Sequence, residues 1–160
     1  MKAVLLALVL ALPCSAAERE CGIEDKALLK YVQRVAKRNH GSKVIAASLS
    51  ASWSNSSFRS VRVEVGGCEH FGLNVIGVTR QSGVLSEAQV FALTKRLANS
   101  TLPPVDAAAL AKALNRREFS TGRNEDAIVY TISIPGLQEF GFSVALRSGA
   151  TEIWLGGTGD

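Results

Sequence analysis

The stretch VRVEVGGCEHFGLNVIGVT, residues 61–79, decides the fold class. Val61, Val63 and Val65 alternate with Arg62 and Glu64, the period of two that turns one strand face to a core and the other to water. Gly66-Gly67 interrupts the alternation, and a further strand runs from Phe71 to Thr79. Two such runs around a short glycine-bearing turn predict an antiparallel hairpin. Upstream, Ile45, Ala47, Leu49, Ala51 and Trp53 alternate with Ser48, Ser50 and Ser52, and Asn55-Ser56-Ser57 makes a turn. The economical arrangement is three consecutive antiparallel strands.

On either side of this block the period changes. Residues 25–39 place Leu28, Leu29, Val32, Val35 and Ala36 on one helical face, with basic residues in the last turn and Gly41 beyond it. Ser86-Glu87-Ala88-Gln89 is a capping-box pattern, continued as a helix by Val90, Leu93 and Leu97. Pro103-Pro104 ends that helix, and Asp106 is placed to cap a third, with Leu110, Ala113 and Leu114 facing inward.

Residues 120–126 read as a polar loop. Two strands follow, one carrying Ile128, Tyr130, Ile132 and Ile134 and the next Phe140, Phe142, Val144 and Leu146. A short strand at 153–155 precedes Gly156-Gly157-Thr158-Gly159, which reads as a flexible tail. The expected fold is therefore α+β: an antiparallel sheet or sheets with about three helices on one side, in the order α-βββ-αα-βββ.

Residues 63–75 also lie over 132–144 at a constant offset of 69. Gly67 meets Gly136, Phe71 meets Phe140, Gly72 meets Gly141 and Val75 meets Val144. Two hairpins under similar steric demands give this pattern, and so does an internal duplication folded as two related halves.

The first residues have the form of a cleavable export signal: Lys2, an apolar run over residues 3–12, Pro13, then Ser15-Ala16-Ala17 before the expected cut. The apolar run is ten residues, and a helix needs about 20 to cross a bilayer, so no transmembrane anchor is expected. Lipidation at Cys14 is disfavoured by Pro13 immediately before it. Residues 18–160 are expected to form one domain, periplasmic or secreted. Removing residues 1–17 leaves 17 basic against 14 acidic side chains, too mild an excess to argue for nucleic acid. Cys21 and Cys68 remain, and in an oxidising compartment an even pair is expected to form a disulfide. It would close a loop of 48 residues, which the chain-entropy model values at roughly 4 kcal/mol.

Cys68-Glu69-His70 is the one cluster with a catalytic look, since a thiol nucleophile needs a histidine within reach. A cysteine held in a disulfide cannot attack. Two histidines in the whole chain, and no ligand spacing among them or the carboxylates, give no basis for a metal site. There is no nucleophile elbow and no phosphate-binding glycine loop before a helix, and no cofactor is expected. Glu64, Glu69, Glu139 and Glu152 lie on or near strands, but nothing pairs two of them for glycoside chemistry.

Charge gives the positive lead. Lys26, Lys30, Arg34, Lys37 and Arg38 recur at spacings of three and four, a basic stripe opposite the apolar face of the first helix. Such a stripe is either a solvated outer face or a docking surface for an acidic partner, a protein with an acidic surface or an anionic envelope polymer. Trp53, Phe58 and Arg59 flank the turn at Asn55-Ser56-Ser57; they are of the types that anchor protein interfaces, while Trp53 is also in phase with the core face of its strand. Asn55-Ser56-Ser57 and Asn99-Ser100-Thr101 match the N-glycosylation pattern. Together these features predict a non-enzymatic exported binder, such as an inhibitor or immunity protein blocking a toxic or lytic enzyme. A carrier of an apolar ligand at the sheet–helix interface and a small hydrolase using Glu69 and His70 are the other readings.

Overall fold

A computed structural model describes residues 24–66, 71–134 and 138–159. The expected signal at 1–17, together with Cys21, Cys68, Glu69 and His70, lies outside them, as do Gly67, Gly136 and Leu137 of the repeated turn.

The first helix, α1, spans Asp25–Arg38 and buries Leu28, Val32, Val35 and Ala36, the apolar stripe that its spacing predicts. Its C-cap is Asn39, whose side-chain amide donates to the Val35 carbonyl at 2.8 Å and to the Ser100 carbonyl at 2.9 Å. Four strands follow: β1 (Lys43–Ile45), β2 (Ser50–Trp53), β3 (Phe58–Gly66) and β4 (Phe71–Ser82). Helices α2 (Glu87–Thr101) and α3 (Pro104–Arg116) then lead to β5 (Ser120–Asn124), β6 (Ala127–Thr131), β7 (Gln138–Arg147) and β8 (Ala150–Gly159). The described residues form one antiparallel eight-stranded sheet in the order β1-β2-β3-β4-β8-β7-β6-β5. The fold is α+β, and helix, strands, two helices, strands is the order expected.

Each run holds one strand more than the hydrophobic pattern picks out. The first expected strand is broken by a 3₁₀ turn at Ala46–Ser48, after which Leu49 takes a left-handed φ of 45°. Ala51 and Trp53 stay on the core face of β2, whereas Ile45 is 54% exposed on β1. The loop expected at 120–126 contains β5 instead. It is an edge strand exposed along its whole length, so neither face needs apolar residues and the alternation that signals a strand is missing.

The glycine-rich end is likewise no tail. Strand β8 continues to Gly159 and sits between β4 and β7 at the middle of the sheet. Gly157 lies against Phe140, whose ring comes within 2.8 Å of where a Cβ would stand. Asp106 is in the first turn of α3 rather than at its cap, because Pro104 takes the first helical position, where a missing N–H costs nothing.

One row of cross-strand partners organises the core. Val44, Ala51, Val63, Val75, Leu155, Phe142, Tyr130 and Thr121 are directly opposite one another, strand to strand, across all eight strands. The six inner members from Ala51 to Tyr130 are buried and join the helices in one cluster. Fully burying a valine or leucine contributes about 1.5–3 kcal/mol, so this row and its neighbours hold the helices to one face. The adjacent row, Lys43, Ser52, Arg62, Ile76, Trp154, Ser143, Val129 and Gly122, lines the opposite face. There Arg62 pairs with Glu64, and the Arg147 guanidinium lies 4.8 Å above the Trp154 ring.

Strands β4 and β8 sit side by side at the centre of the sheet, and the offset of 69 lays β4 on β7. Local sterics account for the shared Phe-Gly. A Cβ on Gly72 would stand 3.0 Å from the Gly66 carbonyl oxygen, and one on Gly141 would stand 2.5 Å from the Tyr130 carbonyl oxygen. In both hairpins the glycine admits a close approach to the preceding strand.

Candidate binding site

The C-terminal half of α1 is stitched to the end of α2. The Tyr31 hydroxyl donates to the Thr101 carbonyl at 2.9 Å, and the Arg38 guanidinium donates to the Leu102 and Thr101 carbonyls at 3.2 and 3.4 Å. These are carbonyls that the end of a helix leaves without intrahelical partners, and a cation is favoured beside them. Arg38 is therefore committed to structure.

Between this junction and the Pro103-Pro104 corner lies a pocket of about 390 Å³, lined by Tyr31, Arg34, Val35, Lys37, Arg38, Pro103 and Pro104. Arg34 and Lys37 are exposed at its rim, and Lys30 and Lys26 continue the basic face one and two turns away. Among the described residues none of these four cations has a carboxylate within ion-pair distance. Burial pushes the Tyr31 phenol up to about 12, against the pull of the Arg38 charge. Desolvation likewise raises the Asp106 carboxyl.

The sequence-predicted binding residues divide. Lys26, Lys30 and Arg34 share the exposed face of α1. Arg59 is exposed on β3, next to the register shift between Phe58 and Ser60, and does not line the α1 pocket. Trp53 and Phe58 are 6% and 1% exposed and belong to the core. That corrects their placement as surface anchors: both lie on the helix-covered face, where Phe58 packs against Gly77. Tyr31, Pro103 and Pro104 were not legible as site residues, because an amphipathic-helix tyrosine and a Pro-Pro break signal only packing and helix termination.

A second concavity, of about 490 Å³, lies at the other end of α2. Val84, Leu85, Val90, Ile128, Val144 and Leu146 make its apolar lining above Tyr130. Val84 is 85% exposed, Ile128 40% and Leu146 45%. Ile128 and Leu146 continue the core rows of β6 and β7 here, and their exposure shows that none of the described helices covers them. The Gly83 amide to the Gly149 carbonyl, 3.0 Å, and the Thr151 hydroxyl to the Gly83 carbonyl, 3.2 Å, fix the groove's wall. The Tyr130 phenol is raised by burial and then by the Glu87 charge. The 15 residues of α2 separate the two concavities by about 22 Å at 1.5 Å per residue.

Among the described residues no group of three His, Cys, Asp or Glu side chains is placed to hold a metal, and no helix is long and apolar enough to cross a membrane. No family model, no curated protein and no solved structure matches this chain.

Proposed function

We propose that this is an exported binding protein, of the inhibitor or immunity type, which docks the acidic surface of a toxic or lytic enzyme onto the basic face of α1. The observation that carries the reading is the set Lys26, Lys30, Arg34 and Lys37: four exposed cations on one face, unpaired among the described residues, beside a preformed pocket. Complementary charge of this kind raises association rate and selects partners, and with the helix fixed to α2 by Tyr31 and Arg38 only the side chains of the face are left to order on binding. The disulfide expected between Cys21 and Cys68 suits the same extracytoplasmic setting.

The test is capture of partners on the immobilised protein and on a variant carrying Lys26→Glu with Lys30→Glu, followed by assay of the captured enzyme. Support consists of an acidic enzyme whose activity falls on binding, whose retention weakens with salt and which the reversed face no longer holds. Equal capture by both proteins overturns the reading.

The groove favours a second reading, carriage of an apolar ligand, since its volume is that of small-molecule sites and its apolar residues are rimmed by Glu87, Arg123, Glu125 and Asp126. A solvatochromic apolar dye that brightens with wild type and not with Val84→Ser/Leu146→Ser supports it; equal response of the two counts against it.

A further inference from the structure

Resting on the docking face just proposed, the geometry points to a specific occupant for the pocket beside it: we propose that it receives one carboxylate side chain, presented on a loop of the protein partner. Arg34 and Lys37 are three residues apart on one helix face and border the same pocket, so one acceptor seated there has both cations beside it. Arg38 lines the same pocket with its guanidinium anchored on the Thr101 and Leu102 carbonyls, so its charge adds to theirs while its position is fixed. The remaining walls, Val35, Tyr31, Pro103 and Pro104, are apolar and rigid, which suits the methylene stem of a glutamate whose head meets the Arg34 fork.

The same walls argue against phosphate. Phosphate sites at helix N-termini depend on free backbone N–H groups. The start of α3 offers few, because Pro103 and Pro104 have none. The Asp106 and Ala107 amides already donate to the Pro103 carbonyl, at 3.1 and 3.0 Å. A dianion would enter an apolar slot with two rim cations, besides the carbonyl-bound Arg38, and few amides to replace its water. A carboxylate with one charge and an aliphatic stem is the better match.

The experiment is an NMR titration of isotope-labelled protein with acetyl-Ala-Glu-Ala-amide, alongside the Gln analogue and inorganic phosphate. The expected result is saturable shifts confined to Tyr31, Arg34, Val35, Lys37 and Val105, with the Gln peptide and phosphate each at least about ten-fold weaker. Arg34→Gln, an exposed substitution whose folding the same spectrum reports, should erase the preference for Glu over Gln. Equal binding of the two peptides, phosphate binding as tightly as glutamate, or shifts spread evenly over Lys26, Lys30, Arg34 and Lys37 overturns the carboxylate pocket. Such a failure with partner capture still abolished by Lys26→Glu/Lys30→Glu leaves the docking face standing; insensitivity of capture to that reversal removes the face itself.

Discussion

The Tyr31 hydroxyl donates to the Thr101 carbonyl across 2.9 Å, linking the middle of α1 to the last residue of α2 seventy positions away. Its ring also meets Phe71 edge-on, with centroids 5.2 Å apart, so one side chain joins both helices to the start of β4. Tyr31→Phe keeps the ring and removes the hydrogen bond, and should cost about 1 kcal/mol in urea unfolding. The phenol also gives an alkaline signature. Burial raises it from 10.0 to about 12, so the folded state holds the proton more tightly than the unfolded chain. That contribution is complete below pH 10 and is lost as pH rises toward 12. Stability of the wild type should fall more steeply through that window than stability of Tyr31→Phe; parallel curves would contradict the assignment.

Gly141→Ala and Gly72→Ala should rank by the space behind each residue. The Gly141 Cβ would stand 2.5 Å from the Tyr130 carbonyl oxygen and the Gly72 Cβ 3.0 Å from that of Gly66, while nothing lies within 4 Å of a Cβ on Gly66 or Gly122. Backbone cannot swing aside as a side-chain tip does, so Gly141→Ala should cost about 1–3 kcal/mol or more, as overpacking does. Gly72→Ala should cost less. Gly122→Ala should be close to neutral or slightly stabilising, because alanine restricts the unfolded chain. Urea midpoints for the three variants check the order.

Ser86→Ala tests the entry to α2. The Ser86 hydroxyl accepts from the Gln89 amide at 3.3 Å, and the Gln89 side chain accepts from the Ser86 amide at 2.9 Å, a reciprocal box. Its loss should cost about 1 kcal/mol, and Ser86→Gly only a few tenths. Hydrogen exchange should accelerate first in the Glu87–Val90 turn, which borders the apolar groove.

Where one strong local rule governed, the structure was legible in advance. The stripe Leu28, Val32, Val35 predicted α1, Ser86 with Gln89 predicted α2, and the Val61–Val63–Val65 alternation predicted the core face of β3. The failures are equally physical. Strand β5 is wet on both faces and carries no period, and Gly157 of β8 has no room for a side chain because Phe140 fills the space beside it. Periodicity reports burial, so an edge strand and a strand of glycines both escape it. At the candidate site the cations of α1 were legible from their spacing. The pocket was not, since it depends on how α1 meets the Pro103-Pro104 corner, a tertiary contact that no spacing encodes.

Trp53 separates the two roles its sequence context allowed. It is 6% exposed, opposite Val61 on the helix-covered face, and its indole N–H is buried without a hydrogen-bond partner among the described residues. Trp53→Ala should therefore behave as a core truncation, costing about 3–5 kcal/mol, and lost binding in that variant would report unfolding rather than a missing contact. Trp53→Phe should cost distinctly less: it retains much of the apolar volume and removes a donor whose desolvation is uncompensated, a gain of about 1–3 kcal/mol set against the smaller void. Arg59→Ala, on the exposed neighbour of Phe58, should stay within about 0.5 kcal/mol of wild type. Urea unfolding of the three proteins decides the matter, and a Trp53→Ala cost as small as that of Arg59→Ala would remove Trp53 from the core.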